Sequence, residues 1–112
     1  MANEMVGSIS PQDLARLLDH ESSPVLLLDV REPEERAIAS IEPSLFIPMN
    51  SVPDQLEQIP KDRHIVVFCH HGHRSAVVAS YLEGEGYPTV SNLVGGIDAW
   101  SVQVHPEVPR YV

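Results

Sequence analysis

The chain has 112 residues, of which 43% are hydrophobic, and a formal net charge of −9 at pH 7. This size and composition are typical of one globular domain that needs neither a disulfide nor a metal ion in order to fold. The negative charge argues against nucleic acid or an anionic membrane surface as a partner. The single cysteine excludes an intramolecular disulfide.

The first residues, MANEMVGSIS, contain no basic region followed by an apolar run, so they do not resemble a secretory signal. No apolar run approaches the ~20 residues that a membrane-spanning helix needs. Because a lone thiol is stable in a reducing compartment, we expect a cytoplasmic protein that does not associate with a membrane.

Helix and strand patterns alternate in the first half of the chain. Residues 10–18 begin with a Ser-Pro pair and continue with leucines at helical spacing, which predicts a helix that the next Ser-Ser-Pro ends. VLLLDV (25–30) is a short apolar run that suits a strand covered on both faces. The charged segment 31–44 predicts a short helix in its middle. LFIPM (45–49) predicts a weaker strand, which its proline ends or places at an edge of the sheet.

The second half continues the alternation. Residues 53–59 predict a short helix, and HIVVFC (64–69) is the clearest strand because it is rich in β-branched residues. PTVSNLVG (88–95) predicts another strand, and IDAWSVQV (97–104) predicts a short helix with its tryptophan turned inward. The Pro-rich tail 105–112 is expected to lie extended on the body of the protein.

A further helix is predicted between the last two strands. Ser75 is expected to cap it, Ala76, Val78, Ala79 and Leu82 to form its apolar face, and the glycines near position 85 to end it. Alternating strands and helices predict an α/β fold with a mostly parallel central sheet. Ligands of such folds bind at the carboxyl ends of the strands, where Cys69 lies.

Cys69 occupies a strand–loop–helix junction, which is the geometry of an anion-binding cradle. The backbone N–H groups of residues 70–75 and the helix dipole would stabilise a thiolate at this position. Gly72 allows the backbone to approach closely or to take a positive φ. We therefore predict that Cys69 is a functional thiol rather than a small buried side chain.

Zinc binding and phosphatase activity are two other possible functions of this loop, but the spacing of its residues argues against both. Structural zinc takes ligands from two separate segments, whereas Cys69, His70, His71 and His73 crowd one short loop, so we predict no metal site. The phosphate loop of cysteine phosphatases has the sequence pattern of a cysteine, then five residues, then an arginine. Here four residues separate Cys69 from Arg74, so the loop is one residue too short for phosphate.

Four segments resemble the single-domain rhodanese-like sulfurtransferases. They are ISPQDLARLL (9–18), LLLDVREPEE (26–35), VVFCHHGHRSAVVASYLEGEGY (66–87) and VSNLVGGIDAW (90–100). Together they cover nearly the whole chain in the order and spacing of that family. One segment departs from the family pattern: RAIASIEPSLFIP (36–48) lacks the family's usual histidine and paired glycines. We therefore expect the local loop and the rim of the pocket to differ from those of the family.

The resemblance implies one rhodanese-like domain over residues 1–112, with a five-stranded, mostly parallel central sheet and helices on both faces. It also implies that the Cys69 thiolate takes a sulfane sulfur from thiosulfate or a persulfide donor and then carries a persulfide. The acceptor would be cyanide in vitro or a thiol in the cell, and no cofactor is implied. The expected partners are thus a small anionic sulfur donor and a thiophilic acceptor, with a sulfur-relay protein as a further candidate.

The resemblance also implies roles for the loop residues. The substrate-binding residues would be His70, His71, Gly72, His73, Arg74 and Ser75. Their N–H groups would hold the terminal persulfide sulfur, and the histidines would make activity sensitive to pH near neutrality. Arg74 would either attract an anionic donor or form a structural ion pair with an acid such as Asp29 or Glu32.

Four residues outside the loop correspond to family positions beside it. Asp29 is expected to hold the loop, whereas Arg31 would either help anions to enter or be a solvated surface residue. Gly95 and Gly96 would allow close packing near the loop. A module that carries sulfur or binds a protein partner without turnover is the alternative to an enzyme.

Overall fold

The computed structural model describes residues 7–20 and 23–112, and within them the chain forms five strands and four α-helices. The strands are β1 (Gly7–Ile9), β2 (Val25–Asp29), β3 (Leu45–Phe46), β4 (His64–Phe68) and β5 (Val90–Leu93). The α-helices are α1 (Pro11–Leu18), α2 (Pro33–Ile38), α3 (His73–Gly84) and α4 (Gly96–Gln103). Two short 3-10 helices cover Met49–Ser51 and Pro53–Gln58.

The strands form one sheet in the order β1-β5-β4-β2-β3, and every pair is parallel. Side chains of β4 alternate between two apolar layers: Ile65 and Val67 face one layer, and Val66 and Phe68 face the other. Helix α3 covers the first layer, and α1 and α4 cover the second. The predicted α/β fold with helices on both faces of a parallel sheet is therefore confirmed.

Most predicted elements are present, with shifted ends. Ser10 caps α1 by accepting a hydrogen bond from the Asp13 N–H at 3.1 Å, as its position indicated. The helix ends at Leu18, before the predicted Ser-Ser-Pro break at 22–24, part of which lies outside the described residues. Strand β3 ends at Phe46 and lies at the edge of the sheet, as its proline predicted.

Two predictions about elements were incomplete or wrong. The pattern did not indicate β1, because a three-residue edge strand has too few side chains to show a period of two. Ser75 does not cap α3. The helix begins at His73, directly after Gly72, which has a φ of 104°. It therefore starts about one helical turn earlier than expected.

The tail lies on the body of the protein, as predicted, but it is not extended throughout, because the Val108 N–H donates a hydrogen bond to the His105 carbonyl at 3.0 Å and closes a turn. Ser101 Oγ donates a hydrogen bond to the Val108 carbonyl at 2.5 Å, and Val108 and Tyr111 pack against the apolar layer below α4. This path brings Tyr111 beside the loop that follows β4. In the described part of the chain no helix combines the length and apolar character required to cross a bilayer.

Candidate active site

Cys69 follows β4 directly and lies at the middle of the sheet, between the carboxyl ends of β5 and β2. Its carbonyl accepts a hydrogen bond from the Ile97 N–H at 2.8 Å, and the His70 carbonyl accepts one from the Asp98 N–H at 3.1 Å. The first turn of α4 therefore holds the start of the loop at the backbone. Cys69 itself is only 1% exposed.

Gly96 makes this close approach possible. A Cβ at position 96 would collide with the carbonyl oxygens of Cys69 and His70, and the residue has a φ of +64°. Gly95 also has a positive φ, at 76°, and precedes the first turn of α4. Gly96 thus allows close packing of α4 on the loop, whereas a Cβ at position 95 would collide with Ala99 of α4.

Three donors and acceptors surround the sulfur. The N–H groups of Gly72 and Ser75 lie 3.1 and 3.3 Å from Cys69 Sγ and point at it, and Ser75 Oγ lies 3.3 Å away. Backbone N–H groups that converge on one atom favour negative charge there. The loop therefore forms a cradle suited to a thiolate.

Asn92, on β5, orients this cradle, and sequence reasoning missed it. Its Oδ1 accepts a hydrogen bond from Ser75 Oγ at 2.5 Å, and its Nδ2 donates to the Gly72 carbonyl at 3.1 Å. Because the Ser75 hydroxyl hydrogen points at Asn92, the Ser75 oxygen can accept a hydrogen bond from the thiol form of Cys69. The signal for Asn92 was a polar residue near the carboxyl end of a predicted strand, where ligands of parallel α/β folds bind.

Arg74 forms a two-pronged ion pair with Glu35 of α2, at 2.7 and 2.8 Å. The structure therefore realises the structural alternative for Arg74, but with an acid other than Asp29 or Glu32. The Arg74 guanidinium lowers the pKa of Glu35 to about 2, and Glu35 in turn raises the pKa of Arg74. Glu35 was not among the predicted site residues, because its pairing joins two segments that are distant in the chain.

Arg31 is placed differently from both sequence expectations. Its side chain is 0% exposed, so it is neither a solvated residue nor a residue at the entrance. It donates two hydrogen bonds to Asp29, each at 2.8 Å, and one to the Ala39 carbonyl at 2.7 Å. Burial opposes the charge of Arg31, but these bonds and one to Tyr111 leave its pKa above the usual value.

Asp29 is also fully buried. Besides Arg31, its carboxylate accepts a hydrogen bond from Arg36 of α2 at 2.9 Å. The strand β2 and helix α2 are thereby joined below Glu35. The Asp29 carboxylate thus contacts arginines of neighbouring segments and no residue of the Cys69 loop, so the expected role of holding that loop stays a prediction.

Three aromatic rings form a stack at the edge of the loop. The His70 ring lies between the rings of His71 and Tyr111, with centroids 3.9 Å away on each side. Burial and the neighbouring His71 keep the pKa of His70 below its usual value. His73 is exposed at the first position of α3 and takes no part in the stack.

His70, His71 and Asp98 offer ligand atoms within 4.8 Å of one another, which is close enough for a shared metal ion. However, stacked imidazoles aim their nitrogen lone pairs along nearly parallel planes rather than at one point. Asp98 is also engaged by Arg110, at 2.8 and 3.1 Å. We therefore assign no metal site to these residues.

The fold and the loop define a parallel α/β protein with a cysteine cradled by backbone N–H groups. The chain belongs to the rhodanese-like domain family, whose model matches residues 10–103. It is 44% identical over 98 residues to a protein named sulfurtransferase from Allochromatium vinosum, covering 87% of this chain and 90% of that protein.

A second relative and a solved structure agree with this assignment. The thiosulfate sulfurtransferase GlpE of Ectopseudomonas mendocina is 33% identical over 92 residues, which is 82% of either chain. The crystal structure of a rhodanese-like domain protein from Staphylococcus aureus has a TM-score of 0.81 and 34% identity, covering 96% of this chain and 100% of that one. These similarities support a sulfurtransferase activity in general.

Proposed function

We propose that the protein transfers sulfane sulfur through a persulfide on Cys69. The observation that carries this proposal is the cradle, in which the N–H groups of Gly72 and Ser75 face Sγ at 3.1 and 3.3 Å. The names of the sulfurtransferase relatives support the same reaction class.

In the first half-reaction the Cys69 thiolate attacks the outer sulfur of thiosulfate or a persulfide. A new S–S bond forms on Cys69, and the donor's S–S bond breaks, so that its electron pair leaves with sulfite or with a thiolate. In the second half-reaction a thiophilic acceptor attacks the terminal sulfur. Cyanide then leaves as thiocyanate, or a thiol leaves as a persulfide, and the Cys69 thiolate is restored.

The loop residues have different parts in this proposal. The N–H groups of residues 70–75 stabilise negative charge on the terminal sulfur of the persulfide. Ser75 supports the cradle through Asn92, and Arg74 shapes the loop through its pairing with Glu35. His71 and His73 are exposed and can meet a donor or a partner protein.

The pairing of Arg74 also separates this proposal from a phosphatase. Both prongs of the Arg74 guanidinium bind Glu35, so in this structure the arginine does not face an anion held by the loop. A sulfur-carrying module remains the second candidate, because Cys69 is almost completely covered and a stored persulfide would be shielded from solvent.

The intact mass of the protein, measured after thiosulfate and again after cyanide, tests the proposal. We expect a gain of one sulfur atom that cyanide removes and that is absent in Cys69→Ser, with both proteins folded by circular dichroism. Loading without turnover by cyanide would favour the carrier module. Absence of loading from both thiosulfate and a persulfide donor would contradict the proposal.

A further inference from the structure

Tyr111 connects the catalytic loop to the rest of the site at two points. Its ring stacks on His70, the first residue after Cys69, with centroids 3.9 Å apart and an interplanar angle of 11°. Its hydroxyl donates a hydrogen bond to Glu35 Oε1 at 2.8 Å. Glu35 in turn holds Arg74, the residue before Ser75.

These two contacts fix the loop at His70 and at Arg74, on either side of Gly72. The N–H donors to the sulfur come from Gly72 and Ser75, which lie between or next to His70 and Arg74. A shift of either anchor would move the donors relative to Sγ. Because hydrogen bonds weaken steeply with distance and angle, small shifts would reduce the stabilisation of a thiolate or of a persulfide sulfur.

The hydroxyl of Tyr111 is suited to this role because it bonds on both sides. It accepts a hydrogen bond from Arg31 Nη1 at 3.1 Å while it donates to Glu35. Burial, together with the neighbouring Glu35, raises the pKa of Tyr111 to about 12 despite the opposing effect of Arg31, so the hydroxyl keeps its proton at neutral pH. The buried Asp29–Arg31 pair is thereby linked to the Glu35–Arg74 pair.

The geometry points to Tyr111 as a positioning residue that orders the Cys69 loop through His70 and through Glu35. Its effect on catalysis rests on the proposed sulfur transfer, whereas its effect on loop order does not. The family model matches residues 10–103, so Tyr111 lies beyond the matched segment.

Two substitutions separate the ring from the hydroxyl. Tyr111→Phe keeps the stack on His70 and removes the bonds to Glu35 and Arg31. Tyr111→Leu removes both contacts while keeping a large apolar side chain against α4. The matched control is Tyr87→Phe, which removes hydroxyl bonds to the carbonyls of Ile59 at 2.7 Å and Leu56 at 3.2 Å, among residues outside the Cys69 loop.

The first readout is amide hydrogen exchange by NMR at Gly72 and Ser75, compared with core amides of β4. In Tyr111→Leu we expect these two amides to exchange about tenfold faster or more, with a smaller effect in Tyr111→Phe. In Tyr87→Phe, any faster exchange of core amides should correspond to the loss in free energy of unfolding. The Gly72 and Ser75 amides should show no additional, selective increase.

The second readout is turnover with thiosulfate and cyanide. Misplaced donors should lower kcat in Tyr111→Leu by about tenfold or more with a smaller change in KM. The effect of Tyr111→Leu should shrink in a His70→Ala background, because the two substitutions remove the same contact.

The outcomes distinguish the two proposals. Unchanged exchange at Gly72 and Ser75 in Tyr111→Leu would overturn the positioning role, and so would an effect that is fully additive with His70→Ala. If the wild-type protein takes up sulfur from neither thiosulfate nor a persulfide donor, the proposed function fails, but the exchange rates still decide whether Tyr111 orders the loop.

Discussion

Gly96 shows how strongly one residue without a side chain determines the site. It lies against the carbonyl groups of Cys69 and His70 with a positive φ, so two separate constraints act on one position. Both are tertiary in origin, because they arise only when α4 packs on the loop. The sequence indicated close packing at the glycine pair but not which carbonyls it serves.

Substitution of this glycine should therefore damage both stability and the site. We expect Gly96→Ala to lower the free energy of unfolding by about 2 kcal/mol or more, because a Cβ must displace backbone atoms and the left-handed conformation is strained. Urea unfolding measures this loss. Gly84→Ala is the control, since a Cβ there meets no atom within 4 Å, and an equal loss in both variants would contradict the argument.

Asp29 is a second residue whose importance comes from burial. It is fully buried and pairs with two arginines, of which Arg31 is also 0% exposed. We expect Asp29→Asn to lower the free energy of unfolding by about 3–5 kcal/mol, because it leaves the buried guanidinium without a countercharge.

The control for Asp29 uses an exposed acid that pairs with one of the same arginines. Glu42 binds Arg36 at 3.1 Å, and its side chain is 59% exposed. We expect Glu42→Gln to change the free energy of unfolding by less than about 1 kcal/mol, as for other surface pairs. Comparable losses in the two variants, measured by urea unfolding, would show that burial is not the cause.

Helices α2 and α3 are joined by the Glu35–Arg74 pair, which gives this contact a defined pH dependence. The pKa of Glu35 is lowered from 4.5 to about 2, chiefly by its hydrogen bonds from Arg74. A carboxylate with a depressed pKa in the folded state stabilises the fold at pH values above its unfolded pKa. That contribution is lost as the pH falls through the folded value.

We therefore expect the Glu35 contribution to stability to be constant above pH 4.5 and to disappear between pH 4.5 and about 2. In Glu35→Gln this contribution is absent at every pH. The difference in urea midpoint between the wild-type protein and Glu35→Gln should thus be constant near neutrality and shrink toward pH 2. A difference that does not depend on pH would show that the pair does not act through the charge of Glu35.

At the level of elements, patterns predicted β4, β5 and α3 well because their signals are local. β-Branched runs and helical spacing are visible in a short window. The start of α3 was misplaced by three residues, since Ser75 was expected to be the N-cap but Gly72 occupies that position. No local pattern indicated that Asn92 would receive the Ser75 hydroxyl, because the contact depends on β5 lying beside β4.

Across the protein as a whole, positively charged side chains are few, and each one binds a carboxylate or a backbone carbonyl. All seven Lys and Arg residues lie in the described part of the chain. Arg16, Arg31, Arg36, Arg74 and Arg110 form ion pairs, and Lys61 and Arg63 bind backbone carbonyls. With a net charge of −9, the long-range field should repel an anion that approaches Cys69.

This field can be measured with two alkylating reagents of similar size. We expect the rate of Cys69 alkylation by anionic iodoacetate, relative to neutral iodoacetamide, to rise with salt. The reason is that the Debye length falls from about 30 Å at 0.01 M to about 8 Å at 0.15 M. A ratio that falls with salt would mean that local positive charge at the loop, such as protonated histidine, outweighs the net charge.

The sequence by itself determined the fold class, the strand–loop–helix around Cys69 and the family resemblance, because each depends on residue types at short, regular spacing. The tertiary structure decided which side chains meet: the burial of Arg31 against Asp29, the pairing of Arg74 with Glu35, and the stacking of Tyr111 on His70. These partners lie 2, 39 and 41 positions apart. Hydrogen bonds and ion pairs form between groups that packing brings within about 3 Å, and a linear pattern carries no distance between segments.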